Sequence, residues 1–131
     1  MRTYQLKIGK RTVECATTFK ANMMITERVM DPMIIAREEA LFAQAQAAGR
    51  NYEGAYKMTT MNLVKIIHAG QEAAGGKLDL DEIGDMVMEA GPVNVLQETG
   101  NYLAALVAGE SVELTPAKKG AKKKGASSGN G

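Results

Sequence analysis

The fifteen residues TYQLKIGKRTVECAT, Thr3 to Thr17, alternate strictly in character. Tyr4, Leu6 and Ile8 fall on one side of an extended chain and Thr3, Gln5 and Lys7 on the other. Gly9-Lys10 interrupts the run with glycine at the first central position of a two-residue type II′ turn, the connection that matches the twist of paired strands. The resulting hairpin sets Leu6 opposite Val13 and Tyr4 opposite Cys15 on one apolar face. Two strands alone are marginal in water. That face must therefore be covered by helices of this chain or by another chain, which constrains everything downstream.

The downstream sequence offers helices. Thr17 or Thr18 caps a segment from Phe19 through KANMMITERVM, which ends at Asp31-Pro32. Asp31 is then the next N-cap and Pro32 suits the first helical position, where its missing N–H costs nothing. The spacing predicts an apolar stripe of Ile34, Leu41, Ala45 and Ala48, closed by Gly49. RNYEGAYK is a polar connection. Thr59 or Thr60 caps a helix with the face Leu63, Ile66, Ile67, Gly70 and Ala74, stopped at Gly75-Gly76. Asp79 and Glu82 form a capping-box pair ahead of Leu80, Ile83, Val87 and Ala90, and Gly91-Pro92 ends that helix. The last helix, VNVLQETGNYLAALVA, is expected to bury Leu96, Leu103, Leu106 and Val107 and to finish at Gly109. No segment recurs at a fixed period. The expectation is an α+β domain over residues 1–114, an N-terminal β-hairpin followed by a bundle of about five helices.

Residues 115–131, TPAKKGAKKKGASSGNG, read as a flexible, disordered Lys/Gly/Ser-rich tail, because ordering them would bury little apolar surface against their chain entropy. Five of the 16 Lys and Arg residues fall there. The other 11 face all 15 Asp and Glu, so the body carries about −4 beneath a formal net charge of +1. An acidic body repels phosphate and leaves nucleic-acid contact to the tail alone, so a nucleic-acid partner is disfavoured. The apolar runs fall far short of the roughly 20 residues that span a bilayer. A lone cysteine and the absence of a signal-peptide pattern point to a reducing cytoplasm.

Catalytic and metal chemistry find no constellation. His68 is the only histidine, better read as a partly buried structural residue than as a ligand, and Cys15 sits on the inward face of a strand with no base beside it. Asp79, Asp81, Glu82 and Asp85 suggest a calcium loop, but Ile83 and Ala90 stand where position 5 and position 12 require ligands. Gly75-Gly76-Lys77 lacks the spacing of a phosphate loop. The expectation is a non-enzyme without cofactor or metal. The methionine-rich stretch is the remaining candidate. Met23, Met24, Met30, Met33, Ile34 and Leu41 suit either a core or, where a partner covers them, an adaptable docking surface.

The hairpin running into TTFKANMMITERVM, followed by MTTMNLVKIIHAGQEAAGGKLDLDEIGDMVMEAGPVNVLQETGNYLAALVAGE, resembles the small phage tail proteins of the gene-transfer-agent type. These are grouped with tail assembly chaperones and are sometimes labelled tail tube proteins. The resemblance runs from Leu6 to Gly109. MIIAREEALFAQAQAAGRNYEGAY is longer than the family pattern, and the lysine tail is a further departure. The resemblance implies a non-catalytic protein of the host cytoplasm. It would bind the tape measure protein, help recruit tail tube subunits and be absent from the finished particle. Two other functions remain open: a structural virion subunit, such as a tail tube or head-tail joining protein, whose hairpin edge serves self-association, and a nucleic-acid binder acting through its tail.

Overall fold

The structure is a computed structural model, and it describes residues 1–54 and 58–109. The expected tail at 115–131 and the domain end at 114 lie outside the described residues. Strands β1 (Thr3–Ile8) and β2 (Arg11–Ala16) form a two-stranded antiparallel sheet, followed by α1 (Phe19–Arg28), α2 (Pro32–Ala47), α3 (Thr60–Ala73), α4 (Leu80–Ala90) and α5 (Pro92–Ala108). The α+β architecture of a hairpin and five helices is the one the sequence predicts.

The register is also as expected, with Leu6 opposite Val13 and Tyr4 opposite Cys15. Gly9 takes φ +63°, a left-handed value that side-chain-bearing residues rarely adopt. Leu6, Ile8, Val13 and Cys15 are buried while Thr3, Gln5, Lys7, Thr12 and Glu14 face outward. The first four helices start on their expected caps. The side chains of Thr18, Asp31 and Thr59 accept from the backbone N–H groups of Ala21, Met33 and Asn62, and Asp79 and Glu82 complete a reciprocal capping box. These bonds satisfy donors that a helix leaves orphaned at its N-terminus.

Helix α3 is the centre of the molecule. Leu63, Val64, Ile66, Ile67, Ala69, Gly70, Gln71 and Ala73 are all buried, because β2, α1, α4 and α5 surround it. At Gly70 the sheet and α5 both come within the space of a side chain. A Cβ built there would lie 2.6 Å from Tyr102 Oη and 3.0 Å from Cys15 Cβ, so α3 can settle onto β2 and α5 only where it carries no side chain. Tyr102, fully buried on α5, donates its hydroxyl to the backbone carbonyl of Ala16 at 2.6 Å. Helix α5 also reaches the other strand. Glu98 accepts from the Tyr4 hydroxyl at 3.2 Å and from the Lys7 backbone N–H at 3.0 Å. Gln71, buried on α3, bonds both the N–H and the carbonyl of Leu78 and so fixes the α3–α4 connection.

Two helices bury faces other than those predicted. In α2 the buried residues are Pro32, Ile35, Glu38 and Ala45; Ile34 is half-buried, and Leu41 and Ala48 are exposed. In α5 they are Val95, Thr99, Tyr102 and Leu103; Leu96 and Val107 are exposed, and Leu106 only packs against the core edge. The Tyr102 hydrogen bond and the Thr99 hydroxyl, which donates to the Val95 carbonyl at 2.9 Å, allow polar residues to take places that a purely apolar stripe assigns elsewhere. In α3, Ala74 is only half-buried, since the helix ends one residue before it.

Replacing Gly70 with Ala is expected to destabilise the fold by ~1–3 kcal/mol through overpacking. Gly84→Ala, where the nearest atom outside α4 is a Val64 methyl at 3.8 Å, should be neutral or slightly stabilising, as glycine is a poor helix former. Tyr102→Phe should cost about 1–3 kcal/mol by orphaning the buried Ala16 carbonyl. Urea unfolding of the three variants checks all three values.

Candidate docking surface

The reactive side chains singled out in the sequence are placed in structural roles. Cys15 is fully buried, with Sγ 3.8 Å from the Ile67 carbonyl, and burial pushes its thiol up to about 12. A thiol in that state is not a nucleophile at neutral pH. His68 is half-buried on α3. Its Nδ1 lies 3.3 Å from the Arg28 guanidinium and its Nε2 3.7 Å from the Glu72 carboxylate. Arg28 also makes two contacts of 3.3 Å to Glu72, and this hydrogen bonding holds the Glu72 carboxyl below its ordinary value. The cluster ties α1 to α3 at the surface. Asp79 and Glu82 are spent on their capping box, and no group of His, Cys, Asp or Glu among the described residues is placed to hold a metal ion. No described helix is long and apolar enough to cross a membrane.

The six methionine-stretch residues divide. Met23, Met33 and Leu41 are exposed, Met24 and Met30 are half-buried against the core, and Ile34 is half-buried. They do not line one stripe. At 100° per residue, Met23 points away from the buried Ala21 and Ile25 on α1, Met33 points to the side of α2 remote from Glu38, and Leu41 flanks the buried line of α2.

Side chains outside that stretch supply other exposed apolar surface. Phe19 is 76% exposed and stands one turn before Met23 on α1. Phe42 on α2 is 45% exposed; Val93 and Leu96 on α5, three residues apart and therefore neighbours on its surface, are 82% and 40% exposed. Between α2 and α5, with Tyr52 and Met58 from the connection after α2, Phe42 and Leu96 border a cleft of about 380 Å³ that Glu38 and Glu39 also line. A second groove, about 410 Å³, lies between α3 and α4, with exposed Met61 and Met88 beside Asp81 and Asp85. Sequence reasoning missed both, because it placed Leu96 on the buried face of α5 and assigned Phe42 to no surface. Both surfaces are apolar patches edged by carboxylates.

No family model, curated protein or solved structure matches the chain.

The thiol sets a pH dependence. Below pH 9 both the folded and the unfolded chain keep the Cys15 proton. Above it the unfolded thiol ionises while the buried one does not, so the stability contributed by Cys15 is lost as pH rises towards about 12. Relative to Cys15→Ala, the native protein should lose on the order of 2–4 kcal/mol over that window. Denaturant melts at stepped pH measure it, and parallel curves for the two proteins would refute the assignment.

Proposed function

We propose that the chain is a non-catalytic tail assembly chaperone, which binds the tape measure protein in the host cytoplasm and helps recruit tail tube subunits. The supporting observation is the exposed apolar surface on α1, α2 and α5, carried by Phe19, Met23, Met33, Phe42, Val93 and Leu96. Methionines and separate apolar ridges suit a partner that presents many similar helical registers, because unbranched side chains repack at low cost. The reading also rests on the resemblance of the hairpin-to-helix order and of the later LDLDEIGDMV pattern to that family.

A second reading, a structural virion subunit, draws on the hairpin. Glu98 engages β1 at the Lys7 N–H, whereas the outward-facing β2 residues Thr12 and Glu14 are exposed. An exposed strand edge can pair with another chain. Nucleic-acid binding would depend on lysines outside the described residues and is the least supported alternative.

Co-expression with the tape measure protein tests the first reading: its soluble fraction should rise, and the two proteins should co-purify. Unchanged solubility together with no co-purification would reject it. Mass spectrometry of purified particles separates the readings, since many copies per particle mark a structural subunit and near absence marks a chaperone.

A further inference from the structure

The cleft between α2 and α5 holds acid where a packed helix pair would hold hydrocarbon. Glu38 is 6% exposed and accepts a hydrogen bond from the Tyr52 hydroxyl at 2.8 Å. Glu39, next to it on α2, is half-buried. Burial raises its carboxyl above the ordinary value. Arg37, two residues before Glu39, acts on Tyr52 and does not line the cleft. Among the described residues the lining contains no Lys, Arg or His. The walls are apolar, with Phe42 and Leu96 open to solvent at the rim; Val93, exposed three residues before Leu96 on α5, lies outside the lining itself.

A desolvated carboxylate between apolar walls is complementary to a cation on a hydrocarbon stem. Arginine and lysine are built this way, burying the stem and offering the charged head. The exposed rim asks in addition for an occupant with apolar side chains on either side of that cation. We propose that this cleft is the docking site for a partner helix whose apolar stripe is interrupted by one basic residue, the cation seated at Glu39 and the stripe on Phe42, Leu96 and Val93. The proposal rests on the reading of the chain as a binder of a long helical partner and assigns that partner's chemistry at one site. The chain's own lysines at 118–124 are a weaker fit, because their segment has no large apolar side chain to cover the rim.

The test uses the full chain and two synthetic amphipathic helical peptides, identical except for Arg or Gln at the centre of the apolar stripe, with binding read by fluorescence anisotropy. The Arg peptide should bind at least ~10-fold more tightly than the Gln peptide, with the gap narrowing as salt rises. Glu39→Gln should abolish the gap while leaving the Gln peptide's affinity unchanged, and Leu96→Ser should weaken both peptides. Glu39 and Leu96 are chosen because their partial exposure leaves the fold intact. Equal binding of the two peptides to the native chain, or a gap that survives Glu39→Gln, overturns the proposal. A gap that appears only after deletion of residues 110–131 also overturns it, in favour of the chain's own tail as occupant. The two proposals fail separately. Unchanged co-purification of the tape measure protein by Glu39→Gln and Leu96→Ser removes the cleft from that contact and leaves the chaperone reading standing. Peptide discrimination without co-purification does the reverse.

Discussion

The crossing of α3 over β2 and α5 at Gly70 is the contact on which the other packing depends. A hairpin of two strands has one apolar face and cannot hold itself together in water, so a helix must lie directly against it. With Tyr102 Oη and the Cys15 side chain where a Cβ would stand, the helix comes closer than any side chain would allow. Tyr102 then fastens the third partner by donating to Ala16 at the end of β2. Sheet, central helix and last helix are joined within one residue's reach, although they are separated by tens of residues in the chain. That arrangement also explains why Cys15 is inert: the same crossing removes its thiol from water.

Helix α2 is held differently. It packs mainly on α5 and only lightly on α1, its last two turns bury little beyond Ala45, and its buried line includes a carboxylate. A helix that needed burial for its own stability would place a leucine at Glu38, whereas here the Tyr52 hydroxyl meets the acid. The acidic cleft and the exposed rim of Phe42 and Leu96 follow from this incomplete packing. The surface proposed for partner contact is thus the part of the molecule that the core requires least.

Much of the fold was legible because local chemistry determines it. The hairpin register follows from alternation and Gly9, and the helix starts follow from Thr18, Asp31, Thr59 and the Asp79–Glu82 box, where a side chain and a backbone donor three residues away or fewer decide the outcome. The faces of α3 and α4 were legible as well, since their β-branched and leucine residues repeat cleanly. Those of α2 and α5 were not. Alanine in α2, and valine and leucine in α5, fill enough positions that several stripes of similar hydrophobicity coexist, and the choice among them lies with residues that periodicity discounts: Glu38, Thr99 and Tyr102. The candidate site fared accordingly. Met23, Met33 and Leu41 are exposed as a docking surface requires, yet nothing in their spacing revealed that they point in different directions, or that Phe42 and Leu96 meet across a cleft.

By itself the sequence determined the elements, their ends and the pairing of the strands, because those depend on interactions among residues a few positions apart. Only the tertiary structure decided which face of α2 and α5 turns inward, that Tyr102 and Cys15 close on Gly70, and that two adjacent glutamates share a cleft with apolar walls. Each of these depends on side chains from distant segments meeting at fixed distances. No local periodicity encodes them.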